Sequence, residues 1–172
     1  AKVENPEQTT IHGQLVHNPI VLNELDERGF QSADEHDRDE IPTTPNVLIT
    51  AHGISDRERA RLESAGKRLI DTTCPLVTRV HQAATGLAEQ GYHVLIIGKP
   101  GHVEVRGIVE DLSSFEVVTD ASAVRTYPHA KIGIIAQSTT PESVTEAVRR
   151  AVFDLNPRAD IRYVDTICLP TK

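Results

Sequence analysis

The chain has 172 residues, 38% of them hydrophobic but only 3% aromatic, and a formal net charge of −7. That length suits one compact domain or two small ones with aliphatic cores, and an acidic balance without a Lys/Arg cluster argues against general nucleic-acid binding. No apolar run is long enough for a membrane span, no signal peptide is expected, and two widely spaced cysteines do not make a secreted disulfide framework, so a reducing cytoplasm is the expected compartment.

Short aliphatic runs alternate with helical patterns. Residues 10–16 are predicted as a strand and 19–28 as a helix with Pro19 in its first turn. The acidic stretch 32–40 reads as an exposed loop, and 46–51 as a buried strand. Ser55 is the expected N-cap of a helix over 56–65, with Glu58 completing a capping box and Gly66 as the stop. A short strand over 68–71, a helix over 75–90 ending at Gly91, and a strand over 93–97 follow. The stretch after Gly101 is helical, 115–119 and 131–136 are strands, and 161–164 is the last strand. Residues 140–155 form an amphipathic helix with Val144, Ala147, Val148, Ala151 and Val152 on one face.

This order predicts an α/β fold of mostly parallel strands with right-handed crossovers. Two small lobes, over 1–74 and 75–164, are more natural than one sheet of eight strands. Ligands of such sheets bind outside the carboxyl ends of the strands, and the candidate polar groups fall at those ends.

Cys74 sits where a strand turns into a helix, a setting that favours a thiolate. It reads as a buried apolar residue, a nucleophile paired with a histidine, or a metal ligand whose natural companion is Cys168. His52-Gly53 is a better contact candidate than His17, which a strand-end cap explains. His102 and Glu104 follow Gly98-Lys99-Pro100-Gly101, a turn able to hold a phosphate group, and Glu104 also suits a helix start. One of Ser138, Thr139 and Thr140 is expected to cap the next helix. His81 is expected to pack or face solvent, and His12, His36, His93 and His129 have no supporting context.

Six segments together resemble a known family. They are Leu15-Val16-His17-Asn18-Pro19, Thr50-Ala51-His52-Gly53-Ile54-Ser55 and the run from Asp71-Thr72-Thr73-Cys74-Pro75 to His81. The others are Gly98-Lys99-Pro100-Gly101-His102-Val103-Glu104-Val105, Ala136-Gln137-Ser138-Thr139-Thr140 and Asp165-Thr166-Ile167-Cys168. Their order and content are similar to the IspH/LytB family, the 4-hydroxy-3-methylbut-2-enyl diphosphate reductases of the non-mevalonate isoprenoid pathway.

The resemblance implies a three-lobed α/β protein, with 165–172 opening a third lobe, around a 4Fe–4S cluster held by three cysteines. It implies Cys74 and Cys168 as two of the ligands, and His17, His52, His102, Ser138 and Thr139 as substrate contacts. Glu104 is implied as the proton-delivering carboxylate. The reaction implied is reductive removal of an allylic hydroxyl, with electrons from a ferredoxin or flavodoxin.

Val103 stands where the family usually has proline, Ala136 and Ser138 where it has threonines, and Lys99 where histidine is frequent. The chain has no methionine and reads as a piece of a longer protein. With two of three cysteines, it is expected to be inactive alone. Two other readings remain: a thiol- or metal-dependent hydrolase using Cys74 with His52 or His102, and a non-catalytic module that binds a phosphorylated ligand.

Overall fold

The computed structural model describes residues 3–13, 19–33 and 37–168. They fall into two compact units, residues 1–74 and 75–172. Each unit contains one four-stranded, all-parallel sheet.

The first unit contains β1 (Thr9–His12), α1 (Pro19–Glu27), β2 (Gln31–Ala33), β3 (Asn46–Ile49), α2 (Asp56–Ser64) and β4 (Arg68–Asp71). Its strand order is β2-β1-β3-β4. Ser55 caps α2 by accepting the Glu58 N–H at 3.0 Å, and Gly66, at φ 75°, supplies the left-handed turn after it. The core is small: Val47 and Ile49 of β3 pack with Ile54 and Leu62, and Leu69 closes one side. The expectation of a loop over 32–40 needs correction. Ser32 and Ala33 belong to β2, paired in parallel with β1, and Arg38 is 5% exposed, its guanidinium donating to the Gly53 carbonyl at 3.3 Å. Composition misled because a three-residue edge strand is too short to show alternation.

The second unit contains α3 (Pro75–Glu89), β5 (His93–Ile97), α4 (Val103–Val109), β6 (Phe115–Val118), β7 (Lys131–Ala136), α5 (Glu142–Leu155) and β8 (Asp160–Tyr163). The order β6-β5-β7-β8 repeats the topology of the first unit. Successive side chains of β5 face opposite ways, so Leu95 and Ile97 pack towards Val148 and Val152 of α5. Val94 and Ile96 pack towards Val80, Ala84 and Leu87 of α3 and Val105 and Ile108 of α4. Gly133 admits α3 closely: a Cβ there would lie 2.9 Å from Leu87 Cδ1. On α5 the buried positions are Thr145, Val148 and Val152, whereas Ala147 is exposed. Among the described residues no helix is long and apolar enough to cross a membrane.

Candidate functional site

In both sheets the strand order reverses between the first and third strands, and the crevice at their carboxyl ends is where such folds bind ligands. In the second unit this is the gap between the ends of β5 and β7. Gly98-Lys99-Pro100-Gly101 leaves β5 and Gln137-Ser138-Thr139-Thr140 leaves β7.

Glu104 enters this gap from the first turn of α4. It is 2% exposed, and Ser138 binds both of its oxygens. The Ser138 N–H donates to Oε1 at 2.7 Å and the Ser138 hydroxyl to Oε2 at 2.8 Å. A buried carboxylate is costly without such donors, and here both come from one residue. His102 is the N-cap of α4, with Nδ1 accepting the Glu104 N–H at 3.2 Å. An accepting Nδ1 leaves the ring proton on Nε2. The carbonyl of Ser138 accepts the Cys168 N–H at 2.8 Å, which brings the second cysteine into the same hydrogen-bonded group.

None of the three hydroxyl residues caps α5, contrary to expectation. The N-cap is Pro141, with no side-chain cap bond. Ser138 is held by Glu104, Thr139 Oγ1 accepts from Gln137 Nε2 at 3.0 Å, and Thr140 donates to the Ile97 carbonyl at 3.0 Å. Gln137, 5% exposed, is a structural linchpin that sequence reasoning placed at a strand end but gave no role. Its Oε1 accepts the Lys99 N–H at 3.1 Å and so ties the two strand-end turns together. A cleft of about 290 Å³ opens beside it, lined by Gly98, Lys99, Thr119, Gln137, Thr139 and Val144.

In the first unit His52 lies half-buried in the turn after β3. That turn is closed by the Gly53 N–H to the Thr50 carbonyl at 3.1 Å, with Gly53 at φ 71°. Cys74 follows β4, and its N–H donates to the Ala51 carbonyl at 3.0 Å. Burial works to raise the Asp71 pKa, but hydrogen bonds from the Thr73 hydroxyl and amide and from Arg59 outweigh it and hold the carboxyl below its ordinary value. His17 lies outside the described residues.

His12 has a structural role that no local sequence signal disclosed. It is 1% exposed, and its Nε2–H donates to Glu58 Oε1 at 2.8 Å. Arg61 binds the same carboxylate through Nε at 2.8 Å and Nη2 at 2.7 Å. Arg61 Nη2 also donates to the Arg38 carbonyl at 2.6 Å, and Arg38 holds Gly53 beside His52.

A family model described as LytB protein matches residues 1–172. The chain belongs to the LytB family. Among LytB relatives, a 4-hydroxy-3-methylbut-2-enyl diphosphate reductase of Dictyoglomus turgidum is 36% identical over 163 residues, covering 92% of this chain and 55% of the relative. A protein of the same name from Petrotoga mobilis is 32% identical, covering 94% of this chain and 57% of its own length. The chain thus spans little more than half the length of these relatives. A solved structure of (E)-4-hydroxy-3-methyl-but-2-enyl diphosphate reductase, described as the terminal enzyme of the non-mevalonate pathway, superposes with a TM-score of 0.76 at 26% identity. It is covered to 59%, and this chain to 96%. The E-1-hydroxy-2-methyl-but-2-enyl-4-diphosphate reductase of Plasmodium falciparum gives a TM-score of 0.79 at 25% identity, with 96% of this chain and 52% of that one covered.

The donor chemistry of the two cysteines fits an iron–sulfur ligand role. Neither is in a disulfide, both are half-exposed, and each is anchored through its amide at the end of a strand. Among the described residues no group of three or more His, Cys, Asp or Glu is placed to hold a metal ion.

Proposed function

We propose that the chain is part of an iron–sulfur reductase that converts 4-hydroxy-3-methylbut-2-enyl diphosphate to isopentenyl and dimethylallyl diphosphates. Family membership supports the reaction class, and one observation carries the site: the buried Glu104 carboxyl, bound twice by Ser138 at the crevice between β5 and β7. Cys74 and Cys168 are the proposed cluster ligands in this chain. A bound cluster would supply electrons and Lewis acidity.

The chain's own residues bind substrate and handle protons. His17, His52 and His102 contact the diphosphate and hydroxyl groups, and an Nε2–H of His102 is a donor suited to an oxygen. Glu104, once protonated, supplies the proton with which the allylic hydroxyl leaves as water as the C–O bond breaks; the two electrons stay on the allylic carbons, and a second proton added at one or the other end gives the two products. Ser138 holds that carboxyl in one orientation, and Thr139 contributes a second hydroxyl to the pocket wall. The two electrons come from a small redox protein of the ferredoxin or flavodoxin type.

The test is reductive turnover of this diphosphate, with a chemical reductant, by the cluster-loaded longer protein of which this chain is proposed to be part. Glu104→Gln is expected to lower turnover by roughly a hundredfold or more while substrate still binds. Unchanged turnover removes Glu104 from the reading, and release of inorganic phosphate without reduction favours a hydrolase.

A further inference from the structure

Both cysteines stand in the same four-residue run: Asp71-Thr72-Thr73-Cys74 and Asp165-Thr166-Ile167-Cys168. Each run leaves the fourth strand of a sheet with the same strand order. In each unit the cysteine amide continues the register in which the chain leaving the fourth strand bonds to the third.

In the first unit the amides of Arg68, Thr72 and Cys74 donate to the carbonyls of Pro45, Ile49 and Ala51 at 2.9, 3.1 and 3.0 Å. In the second unit the amides of Asp160, Val164 and Cys168 donate to Ala130, Ile134 and Ser138 at 2.8, 2.9 and 2.8 Å. The register is constant in each series. Each cysteine amide is therefore a rung of a parallel ladder carried past the end of the strand.

The threonine two places earlier bridges the same gap. The Thr72 hydroxyl donates to the carbonyl of Ile49, the last residue of β3, at 2.5 Å. The Thr166 hydroxyl donates to the carbonyl of Ala136, the last residue of β7, at 2.6 Å and accepts the Ala136 N–H at 2.9 Å. In the second unit the threonine side chain thus does the work of a peptide group in the ladder. The aspartate closes each turn: Asp71 Oδ1 accepts the Thr73 N–H at 2.9 Å, and Asp165 Oδ1 accepts the Ile167 N–H at 3.3 Å.

We propose that Asp-Thr-x-Cys is a repeated thiol mount, in which Thr72 and Thr166 are positioning residues that fix Cys74 and Cys168 at the outer ends of their sheets before any metal arrives. The inference rests on the reading of both cysteines as cluster ligands. A cysteine kept for packing has no need of such a mount, because burying the sulfur is its purpose. Here each run is tied through its aspartate carboxylate, its threonine hydroxyl and its cysteine amide while each cysteine stays half-exposed. Holding ligands through surrounding hydrogen bonds is how metal sites avoid ordering a loose loop at the moment of binding.

The experiment is site-resolved alkylation of the metal-free chain with iodoacetamide, read by mass spectrometry, together with iron uptake on anaerobic reconstitution. Thr72→Val is expected to raise the alkylation rate of Cys74 at least threefold and leave Cys168 unchanged. Thr166→Val gives the mirror result, and Thr72→Ser or Thr166→Ser restores the wild-type rate. Own-cysteine rates equal to wild type in the valine variants, or equal changes at both cysteines, overturn the mount. Should a valine variant fail to fold, Asp165→Ala and Asp165→Asn repeat the comparison, since only asparagine keeps the acceptor for Ile167. A wild-type chain that takes up no iron, with alkylation still following the threonines, defeats the cluster reading and leaves the mount standing.

Discussion

Ser138 grips the Glu104 carboxylate from two sides, with its amide 2.7 Å from Oε1 and its hydroxyl 2.8 Å from Oε2. The grip spans the ends of β5 and β7, so it joins the candidate proton donor to the strand-end turn whose carbonyl holds the Cys168 amide. Glu104→Ala leaves a buried Ser138 N–H without its acceptor, at an expected cost of about 1–3 kcal/mol in chemical denaturation. Glu104→Gln keeps an oxygen for that N–H and turns an NH2 to the hydroxyl, so its loss of stability is expected to stay under about 1 kcal/mol. Equal destabilisation by the two substitutions contradicts this geometry.

Gly98 meets Gln137 closely. A Cβ at Gly98 would lie 2.9 Å from Gln137 Oε1, 3.0 Å from Gln137 Cβ and 3.1 Å from Val105 Cγ2. Gly98→Ala therefore displaces the side chain that holds the Lys99 amide, with an overpacking cost of about 1–3 kcal/mol. Thermal unfolding of Gly98→Ala beside Gly101→Ala separates crowding from backbone strain, because a Cβ at Gly101 meets nothing within 4 Å but φ there is 76°.

The Glu58 cluster makes the first unit acid-sensitive. Burial acts to raise the Glu58 pKa, but hydrogen bonds and charge from His12 and Arg61 prevail and lower it from 4.5 to about 2. A depressed carboxyl stabilises the fold above its unfolded pKa and loses that contribution as pH falls through its folded pKa. Urea midpoints are expected to drop between about pH 4.5 and 2, and Glu58→Gln is expected to flatten that slope. A slope identical to wild type in Glu58→Gln contradicts the assignment.

His93 gives the second unit a dependence in a higher window. Its ring stacks on His129 at 4.0 Å, and Nδ1 lies 2.8 Å from Ser114 Oγ. Burial, followed by the charge of His129, lowers its pKa below the ordinary 6.5. The neutral ring is the one the fold prefers, so stability is full above about pH 6.5 and declines as pH falls through the lowered value. A melting temperature that rises on going from neutral to mildly acidic pH contradicts this.

The second unit was the more legible in sequence, and the reason is burial. All five residues of His93–Ile97 are buried, as are five of six in Lys131–Ala136, and such strands read as unbroken aliphatic runs. Gln31–Ala33 was hidden because its residues are exposed or half-exposed edge positions. The candidate site was legible only as strand-end polar residues, since Glu104 and Ser138 fall at the end of a parallel sheet where such folds bind ligands. Their pairing was not, because a contact between residues 34 apart follows from topology rather than local pattern. The same holds for His12, which acquires a role only when α2 brings Glu58 to it.

The measurement that tests the central claim most directly is anaerobic iron–sulfide reconstitution of the chain with added thiol, read by visible absorption and by iron and acid-labile sulfide per chain. The account predicts a broad iron–sulfur charge-transfer band with matching iron and sulfide, lost in Cys74→Ser and in Cys168→Ser. A chain that stays colourless, or a band that survives both substitutions, contradicts it.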